Sequence, residues 1–185
     1  MFKKIISILA ALAIFAGAAQ AQGVFVEAGL GSNYLVKNGF GGYGLSAKGA
    51  VGYMFNPMLG ARLDLQLGIG RATPEAAAWF EQGRYIKAAV AADLLWDVLP
   101  TFTEKHYLYH VQPYVRIQET LGVKRAKAAC FGAGGGIRQL LGFKAEDHLF
   151  LVLDVSAVAA GAKCWTGEDG AMILGQATFG FAWQF

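Results

Sequence analysis

Charge is scarce in this sequence. Asp, Glu, Lys and Arg make up 16% of its 185 residues, whereas about a quarter of the residues of a typical soluble domain are charged. Hydrophobic residues make up 55%. This composition excludes an intrinsically disordered chain, because disorder requires low hydrophobicity and high net charge. The length is enough for one domain and short for two.

Long hydrophobic runs are also absent, except at the N-terminus. The segment "MFKKIISILAALAIFAGAAQAQ" has two lysines, an apolar run and then Ala19-Gln20-Ala21. This layout is typical of a cleaved secretory signal peptide. We therefore predict that residues 1–21 are removed and that residues 22–185 form the mature domain; the alternative is an uncleaved membrane anchor. The later apolar stretches are too short or too rich in glycine for transmembrane helices, which leaves a secreted globule or a membrane-spanning β-barrel.

Neither charge sign is in large excess. Lys and Arg total 16 against 13 Asp and Glu, and two of the lysines lie in the predicted signal peptide. The mature chain is therefore close to neutral, and its charge does not predict a nucleic-acid partner. The two Cys and three His lack the spacing of metal ligands, and no helix follows the glycine run at residues 132–136, as a nucleotide loop would require. We predict no metal and no cofactor.

A period of two residues dominates what is present, which predicts β-strands. Turn residues separate eight such segments: Val24–Tyr34, Tyr43–Phe55, Leu59–Arg71, Arg84–Leu99, Tyr107–Leu121, Cys130–Phe143, Leu149–Ala160 and Ala171–Phe185. Each is long enough for a tilted strand to cross a bilayer. The connections after the second, fourth and sixth segments are short and the others are longer, as expected for an outer-membrane barrel with periplasmic turns. The residues "PEAAAWFEQG" predict a helical turn in one long connection.

The two faces of these segments differ in polarity. In Leu59–Arg71 the leucines alternate with Arg62, Asp64 and Gln66. An eight-stranded membrane barrel explains a clean apolar exterior and a mixed, narrow interior that side chains fill. We predict a salt-bridged lumen rather than an open pore, since isolated buried charges are costly. The inward charged residues are Glu27, Lys48, Arg62, Asp64, Lys87, Asp93, Asp97, Arg116, Arg138 and Asp154.

Aromatic residues concentrate near the rim of the short turns, where rings favour a membrane interface. They are Tyr53, Phe55, Trp96, Tyr107, Tyr109, Phe181, Trp183 and Phe185.

Residues 22–185 resemble the small Gram-negative outer-membrane barrel proteins, the group of the OmpA transmembrane domain, OmpX and OmpW. The resemblance rests on the signal peptide, the eight segments, and the stretches "QPYVRIQETLG", "FGAGGGIRQLL" and "FGFAWQF". It implies an all-β, eight-stranded, antiparallel up-and-down transmembrane barrel in the outer membrane. It also implies that the C-terminal residues Phe179, Phe181, Trp183 and Phe185 are a signal for the barrel-assembly machinery.

The longer connections predict two further features. Lys124, Arg125 and Lys127 are either a solvated loop or a contact for lipopolysaccharide phosphates. Cys130 and Cys164 lie on the outer rim in an oxidising compartment. They form a disulfide there, or remain two free or lipid-shielded thiols.

Four functions are compatible with this sequence. The first is a monomeric structural and surface-interaction barrel that contacts outer-membrane lipid and, through its loops, host or surface ligands. The second is a narrow channel for small or hydrophobic solutes. The third is a lipid A-modifying enzyme. Lipid A deacylases resemble serine hydrolases and carry a His-x-Ser arrangement. We do not expect this function because His106, His110 and His148 lack that arrangement. The fourth is a soluble secreted binding barrel.

Overall fold

Eight antiparallel strands form one closed barrel, in which each strand pairs with its neighbours in sequence and the last pairs with the first. The computed structural model describes residues 23–38, 40–79, 83–98, 109–122, 130–142, 148–163 and 169–185. The predicted fold class is therefore confirmed. The strands are β1 Val24–Lys37, β2 Phe40–Met54, β3 Leu59–Ala72, β4 Arg84–Trp96, β5 Tyr109–Gly122, β6 Cys130–Gly142, β7 Leu149–Gly161 and β8 Ala171–Gln184.

One short helical element lies wholly within the described residues. A 3-10 helix covers Pro74–Trp79, where the sequence predicts a helical turn. No described helix is both long and apolar enough to cross a membrane. The predicted signal peptide lies outside the described residues.

The start of β1 and the end of β8 lie at the same end of the barrel. We call this end the terminal rim; it also carries the connections after β2, β4 and β6. The other end, the loop rim, carries the remaining four connections. At the terminal rim the Phe185 N–H donates to the Val24 carbonyl at 2.9 Å, so the seam between β1 and β8 reaches the last residue.

The first connection differs from the prediction. The sequence predicts a long loop after Tyr34, but β1 continues to Lys37, which pairs directly with Phe40. Only residues 38 and 39 separate the strands. Asn38 has a φ of 53°, and Asn-Gly is the residue pair that a two-residue hairpin turn favours. The expected long loop at this position is therefore wrong.

The connection after β4 also differs. It is predicted to be short, with strands reaching Leu99 and starting again at Tyr107, yet β4 ends at Trp96 and β5 starts at Tyr109. The chain still follows β5 to Val98, whose N–H donates to the Val111 carbonyl at 3.0 Å. Residues 99–108 lie outside the described part of the chain. The expected contrast between short and long connections therefore fails at two positions.

The strands are staggered as they follow one another round the barrel. A path of paired residues that starts at Val26 returns to β1 ten residues later, at Val36. Its steps are Val26, Val51, Leu63, Ala92, Ile117, Ala133, Ala159, Ile173 and Val36. A stagger of this kind tilts the strands by about 35–45° and leaves an interior that side chains can fill.

Candidate functional site

The lumen contains a compact cluster of charged side chains. Four carboxylates and four cations lie at similar depth near the middle of the barrel, and each is buried. The carboxylates are Glu27, Asp64, Asp93 and Asp154, and the cations are Lys48, Arg62, Arg116 and Arg138. We call these eight residues the lumen network. The numbers of opposite charges are equal, which is what a low-dielectric interior requires.

One row of this network follows the strand register. Arg62 is directly opposite Asp93, and Asp93 is directly opposite Arg116. The Asp93 carboxylate accepts from Arg116 Nε and Nη2 at 2.7 and 2.8 Å, and from Arg62 Nε at 2.8 Å. Arg116 Nη2 also donates to Asp64 at 3.0 Å. Such two-pronged arginine–carboxylate contacts are among the strongest polar contacts in proteins.

Asp154 joins this row to the opposite wall. Its Oδ2 accepts from Lys48 Nζ at 2.6 Å and from Arg62 Nη1 at 2.7 Å, while its Oδ1 accepts from the Tyr114 hydroxyl at 2.6 Å. The Tyr114 ring lies between two guanidinium groups, with the Arg62 and Arg116 carbons 4.9 and 5.2 Å from its centre. Strands β2, β3, β5 and β7 are thereby linked through one carboxylate.

A second branch leads towards the terminal rim. Arg138 donates to Glu27 at 2.9 Å and to Gln112 at 2.5 Å, and Glu27 is also ion-paired with Lys48. Gln112 donates to Asp97 at 3.2 Å, and Nδ1 of His110 lies 2.5 Å from the same carboxylate oxygen. His110 is thus part of a structural chain of polar contacts.

Apolar clusters lie on both sides of the lumen network. Towards the terminal rim, Phe25, Leu95 and Tyr114 pack together beside a second cluster that includes Phe150 and Val152. Towards the loop rim lies a larger cluster, whose members are Leu35, Tyr85, Cys130, Val158, Ala160, Ala162, Met172 and Leu174. In the described part of the barrel the lumen network therefore lies between two apolar layers.

A mostly uncharged polar layer separates the lumen network from the loop-rim cluster. In it Gln176 donates to Ser46 and Gln118 donates to Thr120. The buried Gln66 side chain has no hydrogen-bond partner there. Lys87, which the sequence assigns to the same polar set as the lumen network, is buried at this level and makes no ion pair with described residues.

A glycine makes room for the Tyr114 ring, whose hydroxyl bonds the lumen network. A Cβ atom added at Gly136 would lie 2.6 Å from the Tyr114 hydroxyl and 2.2 Å from the Val155 carbonyl oxygen. Gly136 of β6 thus faces the space that Tyr114 fills. A side chain there would displace the hydroxyl that bonds Asp154.

The outer surface is apolar. Leu30, Leu45 and Ile117 are 71%, 70% and 67% exposed, whereas Arg62 and Arg138 are each 1% exposed. This is the reverse of a water-soluble domain, in which charged residues are almost never fully buried. The predicted C-terminal residues Phe179, Phe181, Trp183 and Phe185 all lie on this outer surface, about half-exposed.

Aromatic rings mark both ends of the outer surface. Phe55, Trp96 and Tyr109 are exposed near the terminal rim; Tyr107 lies outside the described residues. A second set of exposed rings, which the sequence does not predict, lies near the loop rim: Tyr34, Tyr43 and Phe131. Tyr43 and Tyr53 lie ten residues apart on β2, which at about 3.3 Å per residue and a tilt of about 45° is roughly 23 Å, close to the ~25 Å apolar band of outer-membrane barrels.

Several predicted site residues lie outside the described part of the chain, namely Lys124, Arg125, Lys127, Cys164 and His106. Cys130, at the start of β6, takes part in a disulfide. The described serines Ser46 and Ser156 bond Gln176 and Arg116, respectively. His148 lies beside the Trp183 ring at the terminal rim.

Two solved structures have a similar fold. The Neisserial surface protein A superposes with a TM-score of 0.57 and 10% identity, over 88% of this chain and 97% of that one. The outer-membrane protein OprG from Pseudomonas aeruginosa gives a TM-score of 0.55 and 10% identity, over 89% and 96%. No protein-family model matches the sequence, and no curated protein is significantly similar to it. The chain thus has the fold of the small eight-stranded outer-membrane barrels, as its resemblance implies.

Proposed function

We propose that this protein is an outer-membrane structural and surface-interaction barrel with a closed, side-chain-filled lumen. One observation carries the proposal: the barrel is polar inside and apolar outside. Its exposed Leu30 and Leu45 would each cost free energy in water, at about 25 cal/mol per Å² of apolar surface. A lipid environment removes that cost, and a closed barrel satisfies its backbone polar groups within the bilayer.

The proposal includes an orientation, which the even strand number supports. In outer-membrane barrels with an even number of strands, both termini lie in the periplasm. The loop rim, with residues 73–83, 123–129 and 162–170, is then the surface available to ligands of the host or of other cells. Lipopolysaccharide contact by Lys124, Arg125 and Lys127 belongs to the same proposal.

Labelling of intact cells tests the orientation. An epitope inserted after Lys163, in the connection between β7 and β8, should be accessible to antibody on intact cells. The same epitope inserted after Asn56, in the turn between β2 and β3, should become accessible only after permeabilisation. The protein should fractionate with the outer membrane, begin at Gln22 and migrate anomalously on a gel until boiled. Recovery in the culture medium would instead support the soluble binding barrel.

A narrow channel is the second candidate. The lumen network and the two apolar layers argue against it, because a permeating solute would have to displace ion-paired side chains. We expect purified protein to give little or no conductance in planar bilayers. Stable unitary currents that the Arg116→Ala variant alters would favour the channel.

A lipid A-modifying enzyme is a third candidate. The lumen histidine His110 contacts Asp97, while the described serines Ser46 and Ser156 bond Gln176 and Arg116. We expect no release of acyl chains when purified protein is incubated with lipid A. Activity that depends on His110 or His148 would overturn this expectation.

A further inference from the structure

Two arginines lie side by side on the outer wall at the loop rim. Arg71 near the end of β3 is directly opposite Arg84 at the start of β4. Both are exposed, and both share the outward face of their strands with Ile69 and Ile86. Like charges directly opposite on neighbouring strands are destabilising. The pair therefore weakens the barrel unless an anion lies against it.

Among the described residues, no carboxylate offsets this pair. Within the described residues neither Arg71 nor Arg84 has an ion-pair partner. The contrast is Lys163 at the same rim on the far side of the barrel, whose Nζ lies 3.2 Å from Asp169. The two guanidinium groups are thus a pair of neighbouring cations, unpaired with any described carboxylate, at the loop-rim edge of the apolar surface.

An apolar hollow of about 820 Å³ lies beside the pair, on the side away from the loop rim. Its walls are the side chains of Tyr34, Tyr43, Leu45, Ile69 and Ile86, and both arginines line its edge. This volume is within the range of pockets that hold small organic ligands, about 300–1,000 Å³. The hollow faces outward, so in a bilayer it opens to lipid.

The floor of the hollow is a thin part of the barrel wall. Gly44 on β2 pairs directly with Gly70 on β3. Inside the barrel the Tyr85 ring lies against Gly70, where an added Cβ would be 2.3 Å from the ring. The Tyr85 hydroxyl donates to Asn33 at 2.5 Å. The glycine pair and the buried tyrosine together fix the shape of the wall below the arginines.

We propose that this surface binds one phosphorylated, acylated lipid of the outer leaflet, of the lipid A class. Its phosphate would lie against Arg71 and Arg84, and one acyl chain would lie in the hollow. Guanidinium groups match phosphate oxygens in a two-pronged geometry. Cations at the head of an apolar hollow suit a lipid rather than a free anion or a peptide. This inference rests on the proposed function, because it needs the loop rim in the outer leaflet.

Binding of bisphosphorylated lipid A to purified, refolded protein in detergent micelles tests the inference. Wild type should bind saturably, and R71Q/R84Q should bind at least about tenfold more weakly, since two charged contacts are lost. K163Q removes one cation at the same rim and should bind like wild type. Without lipid, R71Q/R84Q should unfold at the same or a higher temperature than wild type, because the repulsion is gone.

Four results would overturn the inference: equal binding by R71Q/R84Q, equal binding of fully dephosphorylated lipid A, displacement of lipid A by millimolar inorganic phosphate, or a wild-type dimer that R71Q/R84Q converts to monomer. The last would assign the hollow to a second copy of the chain. Outer-membrane fractionation and epitope labelling of wild type and R71Q/R84Q separate this inference from the proposed function. Absence of wild type from the outer membrane would reject the proposed function. A variant that reaches the outer membrane but no longer binds lipid A would support the inference about the hollow.

Discussion

Lys48 on β2 and Asp154 on β7 form an ion pair across the lumen, with 2.6 Å between Nζ and Oδ2, although 106 residues separate them in the chain. Both are buried. Backbone hydrogen bonds link only neighbouring strands, whereas this ion pair links β2 and β7, which are not neighbours in the barrel. The lumen network therefore stabilises the closed barrel as a whole.

Removal of Arg116 should destabilise the folded barrel strongly. Arg116→Met leaves Asp93 without two of its hydrogen bonds and Asp64 without its arginine. Loss of one partner from a buried charge pair costs about 3–5 kcal/mol. The temperature at which the fast-migrating folded band disappears on a gel should fall clearly.

Gln66→Met is the matched control for Arg116→Met. It replaces a buried lumen side chain that has no hydrogen-bond partner within the described residues, so its cost should be small. Equal loss of heat resistance in the two variants would contradict the importance of the ion pairs and point to packing alone.

Gly136→Ala should destabilise the barrel although it adds a single methyl group. The new Cβ would overlap the Val155 carbonyl and push the Tyr114 hydroxyl away from Asp154. Overpacking of this kind costs about 1–3 kcal/mol. Urea-induced unfolding, followed by tryptophan fluorescence, measures the change. Gly49→Ala serves as the control, because its new Cβ would contact only the Glu27 carbonyl oxygen, at 4.0 Å. A similar loss of stability in Gly49→Ala would show that any alanine weakens these strands.

Phe185→Ala should lower outer-membrane insertion more than it lowers the stability of barrels already folded. The variant keeps the backbone bond from residue 185 to Val24 and removes only the ring that the family resemblance assigns to the assembly signal. The yield in the outer membrane and the melting temperature of the folded fraction are measured together. Phe131→Ala removes an exposed ring at the other rim, and an equal fall in its yield would deny Phe185 a special role.

Thiol titration should find no free thiol in the denatured, unreduced protein and two after reduction. The chain has two cysteines, and Cys130 takes part in a disulfide; we predict that Cys164 is its partner. A bond of this kind stabilises by about 2–4 kcal/mol, so reduction should lower the unfolding temperature. Two thiols before reduction, or a dimer on a non-reducing gel, would contradict the predicted pairing.

The strand number and the two faces could be predicted because a period of two is a local property. Leu63 and Asp64 are assigned to opposite faces by their positions alone. The partners within the lumen could not be predicted in the same way. Contact between Lys48 and Asp154 depends on the ten-residue stagger, which sums the registers of all eight strand pairs, and no local pattern contains that sum.

Two local errors have different causes. The loop expected after Tyr34 is absent because Leu35 and Val36 continue the alternation and Asn38 turns the chain, a hairpin signal that the surrounding glycines obscured. The sequence identifies Arg71 and Arg84 only as strand ends. Their direct opposition depends on the register between β3 and β4, which the intervening connection conceals in the sequence.

The seam between β1 and β8 is the one strand pairing that no hairpin makes, and it runs from Phe25 opposite Gln184 to Val36 opposite Ile173. While it is open, both edges of the sheet present unpaired backbone groups that can template the addition of strands from another chain. Until β8 pairs with β1, the unfolded or half-folded chain therefore carries two edges on which another chain can add a strand. Closure of this one seam removes both edges at once.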